Sequence, residues 1–444
     1  MCFQNKMKID FRKNVILKLL SMYRNNINIC LKKITKYSKL SDNELKKLQD
    51  EKLSQILIYS YKNVPYYTEI LEKAGVVNEK LEVNLENFEK IPILTKQLIR
   101  DRFNDLKSKE INKLKWKYNS TGGSTGEPVK LIQDETYYDW NVANKLFYKQ
   151  IACIKLGSRE IRLWGSGNDI LNCSFVASVR NKIYNRKDLK VYDMSEKKMV
   201  SHLKTWNKLK PVWVEGYVQA IYEFSVFIKK NNLKAASPKG ILCTAGTMCP
   251  HMKKTIEETF KCKVYNRYGS REVGDVAFGE DELRVSVWNN KVEILDKKTN
   301  HKNKKGKVCI TNLNNRAMPL IRYEIGDLAE AGKDWKTLKK IVGREISMFK
   351  KINGDLIDGS YFTLPISKIE YIRRYQVIQR DYNHVEYIFV IENKSRLSEK
   401  EENLLSNQAK KALGTDCIVT FTYTDNIKAL DNGKYLYTKS EVNN

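Results

Sequence analysis

Two segments of the sequence could hold a phosphate group and a metal ion. The first is a run of hydroxyl and glycine residues between two strand-like stretches, Ser120-Thr121-Gly122-Gly123-Ser124-Thr125-Gly126. Its glycines let the backbone approach an anion closely, and its hydroxyls and consecutive N–H groups can donate to phosphate oxygens. It is not the phosphate loop of nucleotide triphosphatases, because no Gly-Lys-Ser/Thr follows it. A plain Ser/Gly hairpin would have the same composition.

The second segment, residues 265–272, ends a strand-like run with an aromatic residue, a glycine and a carboxylate. Tyr268 offers a flat face for a base such as adenine, and Glu272 offers an oxygen ligand for Mg²⁺. A third segment, residues 319–327, ends in Asp327 after a glycine turn, where a carboxylate can accept two ribose hydroxyls. A core tyrosine, a surface glutamate and a type II turn would give the same patterns.

A fourth pattern pairs Gly343-Arg344 with the late Asn432-Gly433-Lys434. Arginine can bind phosphate or ribose oxygens, and a lysine on a loop can bring positive charge to a reacting carboxylate. Lys434 alone means little, because the chain contains 80 lysine and arginine residues. The order and spacing of the four patterns are more specific than any one of them.

The formal net charge of +28 suggests nucleic acid or an acidic membrane as a partner. The basic residues are spread along the chain, however, and no nucleic-acid-binding fingerprint is present, so we predict no nucleic-acid partner. The nine cysteines include no CxxC pair, which indicates reduced thiols and a cytoplasmic protein. Cys243, Cys249, His251 and Cys262 lie close together in the sequence, but their spacing fits no standard zinc site, and we expect buried thiols there.

The elements that must position these residues change character along the chain. From residue 115, strand-like and helix-like stretches alternate, which predicts a mostly parallel sheet covered by helices. Short alternating strands follow residue 280, and a small α+β unit follows residue 343. We therefore predict an α/β protein with a large N-terminal domain (1–342) that includes a small β subdomain, and a C-terminal α+β domain (343–444).

The first forty residues are basic, with apolar residues at helical spacing. We expect a peripheral helical segment packed on the body, with contact to the inner face of an anionic membrane as the alternative. The apolar stretch at 15–20 is interrupted by Lys18, so we expect neither a signal peptide nor a spanning helix.

The four patterns in this order resemble the adenylate-forming superfamily of acyl-CoA synthetases, amino-acid-activating domains and luciferases. The closer resemblance is to the branch of phenylacetate-CoA ligases and CapK capsular polysaccharide biosynthesis proteins, and it covers nearly the whole chain. Residues 45–71 and 88–103 look like the N-terminal segments of that branch. Residues 268–272 (YGSRE), 376–379 (QVIQ) and 433–437 (GKYLY) lean towards its CapK-like group.

The resemblance implies an enzyme that uses ATP and Mg²⁺ to convert a small carboxylic acid to its acyl-AMP, with release of pyrophosphate. CoA, or an amine or hydroxyl of a sugar in surface-glycan assembly, would then accept the acyl group. The residues it implies are Ser120 to Gly126 for the ATP phosphates, Thr244, Ala245, Gly246, Thr247, Tyr268 and Gly269 for adenine and the acyl group, Glu272 for Mg²⁺, Asp327 for the ribose, Arg344 for ribose or phosphate, and Lys434 as the adenylation lysine of a mobile C-terminal domain.

Three departures from the family pattern leave alternatives open. Lys130 is displaced by one residue after the phosphate loop, Ser347 stands at the usual hinge carboxylate position, and residues 244–247 lack the acidic residue of some phenylacetate-CoA ligases. A transferase that stops at the AMP adduct and a non-catalytic binding protein are the rival interpretations. The sequence identifies neither the acid, the acceptor nor the oligomeric state.

Overall fold

A computed structural model gives the structure of the chain. It describes residues 12, 14–16, 18, 26–120, 129–165, 175–191, 194–296, 299–344, 348–354, 356–363, 365–366, 369, 371–391, 396–427 and 437–442.

Within residues 26–120, the α-helices that precede the sheets are α1 Asn26–Tyr37, α2 Asp42–Asn63, α3 Pro65–Lys73 and α4 Lys96–Asp101. Helix α2 begins with a capping box, in which the Ser41 hydroxyl accepts from the Glu44 amide and the Glu44 carboxylate accepts from the Ser41 amide at 2.8 Å. Pro65 separates α2 from α3, since a proline suits the first position of a new helix.

The main sheet has eleven strands, in the order β10-β11-β12-β13-β9-β8-β7-β6-β5-β3-β4. Its parallel half consists of β3 Glu160–Trp164, β4 Arg186–Lys190, β5 Trp213–Tyr217, β6 Gly240–Thr244 and β7 Lys263–Ser270. The helices that precede or alternate with these strands along the chain are α5 Glu135–Ile151, α6 Phe175–Ile183, α7 Glu196–Leu209, α8 Val218–Lys230 and α9 Pro250–Phe260. All five residues of β6 are buried, as expected of a parallel strand covered on both faces.

The antiparallel strands continue the same sheet from β7 onward. They are β8 Gly274–Gly279, β9 Leu283–Val285, β10 Asn290–Leu295, β11 Lys305–Asn312, β12 Tyr323–Ala331 and β13 Thr337–Arg344. A separate hairpin, β1 Trp116–Ser120 with β2 Lys130–Asp134, brackets the predicted phosphate loop. The predicted α/β fold with a parallel part, a β part and a C-terminal α+β part is confirmed.

The C-terminal part contains β14 Met348–Lys350, β15 Leu356–Asp358, α10 Ser360–Thr363, β16 Ile372–Asp381, β17 His384–Ile391, α11 Glu399–Leu413, β18 Ile418–Tyr423 and β19 Thr438–Ser440. Four of these strands form a sheet in the order β18-β17-β16-β19. A capping box of Ser398 and Glu401 begins α11. This part has its own apolar core around Phe349, Phe362 and Tyr387. The division into two domains at residue 343 stays a prediction.

Two other apolar cores lie in the larger part of the chain. The first packs α1 to α5 against the antiparallel half of the sheet, and Ile27 and Ile34 of α1 belong to it. The second lies between the parallel strands and helices α7, α8 and α9, and we call it the second core. Within the described ranges, no helix is long and apolar enough to cross a membrane.

The seven cysteines in the described part of the chain are free thiols, and Cys243 is buried in β6. Among the described residues, no group of three or more His, Cys, Asp and Glu side chains is arranged to hold a metal ion.

Candidate functional site

The carboxyl ends of the parallel strands bring two of the predicted segments together. Tyr217 at the end of β5 pairs with Thr244 at the end of β6, and Thr244 pairs with Arg267 in β7. The Thr244 hydroxyl donates to the Arg267 carbonyl at 3.1 Å. Segment 244–247 therefore begins beside Tyr268, at the edge of an open α/β sheet where ligands usually bind.

The turn after β6 has a constrained backbone. Ala245 has a φ of 61°, in the left-handed region that costs energy for a residue with a Cβ. A Cβ on Gly246 would lie 2.6 Å from the Gln219 side chain, in the first turn of α8. The sequence analysis did not single out Gln219. Strained backbone of this kind is often found at functional sites.

Tyr268 and Asp327 connect the second and third predicted segments. The Tyr268 hydroxyl donates to Asp327 Oδ2 at 2.9 Å, and Tyr268 is buried. The pairing of β7 with β8 is irregular between Tyr268 and Gly269, and a Cβ on Gly269 would lie 2.4 Å from the Gly274 carbonyl oxygen. The close approach requires glycine there and fixes the turn that follows Tyr268.

The backbone of Arg344 lies beside Asp327 in the main sheet. In the antiparallel pair of β12 and β13, Asp327 lies opposite Arg344. The side chain of Arg344 is outside the described part of the structure, so only its position beside Asp327 is established.

The turn that bears Glu272 is bound to the hairpin that brackets the predicted phosphate loop. Gln133 Nε2 donates to the carbonyls of Arg271 at 2.6 Å and Glu272 at 3.1 Å. Asn119 Nδ2 donates to the Arg271 carbonyl at 3.3 Å, and the Tyr137 hydroxyl donates to it at 3.0 Å. Glu272 itself is buried. The hydrogen bonds place the start of the loop, at Ser120, near Glu272.

These hydrogen-bonding residues were missed by the sequence analysis. The sequence held only a weak signal, a polar residue directly after the apolar Leu131 and Ile132, and the structure shows Gln133 to be fully buried. Burial, with Asp275 and Glu272 nearby, raises the pKa of the Tyr137 hydroxyl, so this group remains a hydrogen-bond donor.

Buried charges fix the strand that presents Tyr268. Arg267 Nη2 lies 2.8 Å from Glu215 Oε1 of β5, and its Nε lies 3.6 Å from Asp275 Oδ1 of β8. Burial alone would raise the pKa of Glu215, but Arg267 and Arg186 dominate and lower it to about 2. The carboxylate is thus ionised at neutral pH and joins β5 to β7. The overlooked signal was Glu215, the one charged residue in the strand β5.

A second buried arginine ties the N-terminal segment to β12. Arg322 Nη1 donates to the carbonyls of Glu89 at 2.5 Å and Ile91 at 2.6 Å. Its Nη2 also lies 3.3 Å from Glu293 Oε1, with both side chains almost fully buried. These contacts hold residues 89–91 against the strand that carries Asp327.

Three predicted features lie outside the described residues: Thr121 to Gly126 of the loop, Ser347 and Lys434. The described residues of the site come from five separate segments of the chain, and they lie around the carboxyl end of β7: Ser120, residues 244–247, residues 268–272, Asp327 and Arg344.

Several known proteins resemble this chain in sequence or in fold. Residues 349–441 match the protein family described as the CapK C-terminal domain. Protein CapK of Staphylococcus aureus is 25% identical over 421 residues, which are 90% of each chain. Phenylacetate-coenzyme A ligase of Thermus thermophilus is 21% identical over 370 residues, 76% of this chain and 78% of that protein.

A solved structure of 2-hydroxyisobutyryl-CoA ligase, in the postadenylation state with R3-HIB-AMP, superposes with a TM-score of 0.69. It is 16% identical and covers 91% of this chain and 90% of its own. The chain is thus homologous to CapK and to phenylacetate-CoA ligase, and it has the fold of the adenylate-forming ligases. The resemblance inferred from the four patterns is confirmed.

Proposed function

We propose that this protein activates a small carboxylic acid with ATP and Mg²⁺ and then transfers the acyl group to an acceptor. In the first step, an oxygen of the acid attacks the α-phosphorus, the bond to the bridging oxygen breaks, and acyl-AMP and pyrophosphate form. The observation that carries the proposal is the 2.9 Å hydrogen bond from Tyr268 to Asp327, which joins two separate segments at the carboxyl edge of the sheet.

The residues of this edge suit the parts of ATP. The Tyr268 ring and segment 244–247 would bind adenine, and Asp327 would accept from the ribose hydroxyls, with its carboxylate oriented by the Tyr268 hydroxyl. Arg344, next to Asp327 by backbone pairing, would bind ribose or phosphate oxygens. The loop from Ser120 to Gly126 would donate its N–H and hydroxyl groups to the phosphates.

Glu272 would hold the metal. A single carboxylate is sufficient, because Mg²⁺ is commonly bound by one or two carboxylates together with substrate phosphates and water. When bound, Mg²⁺ would neutralise the charge that develops on the leaving pyrophosphate. Lys434 would supply positive charge to the attacking carboxylate and the α-phosphate, where a preorganised charged donor typically contributes ~10²–10³ in rate.

We propose CoA as the first acceptor to test. The support is the kinship with CoA ligases, of which phenylacetate-coenzyme A ligase covers most of the chain. The match of residues 349–441 to the CapK C-terminal domain favours a second candidate, an amine or hydroxyl of a sugar in surface or capsular polysaccharide assembly. We also propose a cytoplasmic location, because ATP, CoA and reduced thiols are all present in the cytoplasm.

The test is a screen for pyrophosphate release over aryl acids, fatty acids, amino acids and uronic-type acids, each with and without CoA. An accepted acid should release pyrophosphate in the wild-type protein and far less in Asp327→Asn. Mass analysis of the product separates acyl-CoA from an AMP adduct. Absence of ATP–pyrophosphate exchange with every acid, together with calorimetry showing no ATP binding, would favour a non-catalytic binding protein.

A further inference from the structure

An ion pair joins the C-terminal sheet to the helix that follows β5. Arg374 Nε of β16 lies 3.5 Å from Glu223 Oε1 of α8, and about a fifth of each side chain is exposed (21% and 20%). Burial raises the pKa of Glu223, and the positive charges of Arg374 and Arg373 offset part of that rise. A carboxylate removed from water to this extent depends on its arginine partner.

Tyr437 makes a second contact between the same two parts. It directly precedes β19 and packs against the second core, whose partly exposed margin includes Tyr222 and Met248. Its ring lies against Tyr375 with 4.7 Å between centroids, and its carbonyl accepts from the Val377 amide at 2.8 Å. We call Glu223, Arg374 and Tyr437 the docking set.

The docking set adjoins the candidate site. Helix α8 starts directly after Tyr217, which pairs with Thr244, and Met248 follows segment 244–247 directly. Only three peptide units separate Tyr437 from Lys434, at most about 11 Å of extended chain. Because Tyr437 packs against the second core, chain length alone limits how far the proposed adenylation lysine can lie from that core.

We propose that the docking set positions the C-terminal part for adenylation by orienting it on α8, the helix that starts at the carboxyl edge of the main sheet. This inference rests on the proposed acid activation. None of the three residues of the docking set touches substrate in the proposed reaction. They act by positioning the C-terminal part of the chain.

The energetics of the ion pair suit a contact that must also open. Because desolvation of two charges consumes most of their attraction, a buried pair fixes orientation more than it adds affinity. Removing one partner leaves an uncompensated buried charge, whereas replacing both with apolar residues of similar size is often neutral. The single and the double variant should therefore behave very differently.

Hydrogen exchange on the full-length chain, without ATP or acid, tests the docking. Arg374→Ala should speed amide exchange in residues 218–230 by roughly tenfold or more, and Glu223→Leu combined with Arg374→Met should restore slow exchange. The matched control is Arg380→Ala, which removes the same charge from the same strand but pairs with Glu386 and Glu441 of the C-terminal part. Exchange within β17 reports whether the C-terminal sheet itself stays folded.

Two results would overturn the docking role: equal exchange at 218–230 in Arg374→Ala and Arg380→Ala, or a double variant that exchanges as fast as Arg374→Ala.

A further measurement, of enzyme kinetics, uses the acid found by the screen. Arg374→Ala should lower kcat for pyrophosphate release with little change in KM for ATP, and transfer from pre-made acyl-AMP should be unaffected. Faster exchange with normal pyrophosphate release would refute positioning for adenylation. If no acid releases pyrophosphate, the proposed function fails, while the exchange data still decide the docking contact.

Discussion

At the scale of single residues, the Tyr268 hydroxyl is the atom through which two segments of the candidate site contact each other. Tyr268→Phe keeps the ring but removes the donor to Asp327. We expect ATP to bind about 2- to 10-fold more weakly, as for the loss of one hydrogen bond. Calorimetry with ATP measures this. Tyr371→Phe is the control, because it removes a tyrosine–carboxylate hydrogen bond to Glu401 in the C-terminal sheet region, and equal losses in the two variants would contradict the assignment.

Glu272 permits a second test at this scale. Glu272→Gln keeps the size of the side chain and removes the charge that a hard cation prefers. The variant should need more Mg²⁺ for half-maximal pyrophosphate release. A titration of activity with Mg²⁺ measures the shift, with Glu280→Gln as control, since Glu280 lies near the far end of β8 and pairs with Lys263. A wild-type Mg²⁺ requirement in Glu272→Gln would remove this residue from the metal site.

At the scale of elements, the buried Glu215–Arg267 pair joins β5 to β7. Glu215→Gln leaves Arg267 with Asp275 alone, 3.6 Å away, and should lower the free energy of unfolding by roughly 3 kcal/mol at neutral pH. The folded-state pKa of Glu215 lies at about 2, below the ordinary value of 4.5. Its contribution is therefore present above pH 4.5 and is lost as the pH falls towards 2.

Urea unfolding of wild type and Glu215→Gln across this pH range measures the effect. The difference between them should be largest at neutral pH and should shrink on acidification. Glu258→Gln is the control, because its pair with Lys229 is exposed to solvent and contributes little. A difference between wild type and Glu215→Gln that does not vary with pH would contradict the pKa argument.

The elements were the most predictable part of the molecule. The alternation of strand-like and helix-like stretches from residue 115 predicted the parallel half of the sheet, because this pattern is local. The partners of Gln133, Gln219 and Arg322 were not predictable, since each contact depends on how segments distant in sequence pack. The position of Arg344 opposite Asp327 similarly depends on strand register, which single residues do not encode.

At the scale of the whole molecule, the net charge of +28 bears on where the protein works. Helix α1 is packed on the body, with Ile27 and Ile34 buried, as the packed-helix interpretation expects for those residues. Contact of the first forty residues with an anionic membrane stays a prediction. Co-sedimentation with phosphatidylserine vesicles should then fall as salt rises and should fall further on deletion of residues 1–25. Binding to neutral vesicles at the same level would contradict this mechanism.

The contacts of Arg322 also bear on how the chain folds during synthesis. Its partner Glu89 lies 233 residues earlier in the chain. At 5–20 residues per second, a ribosome therefore takes roughly 10 to 50 s after Glu89 to synthesise Arg322. During that interval the sheet that covers the apolar residues of the first helices is incomplete. The nascent chain should therefore depend on chaperones until β12 has emerged, and nucleotide should protect it from proteolysis only after that point.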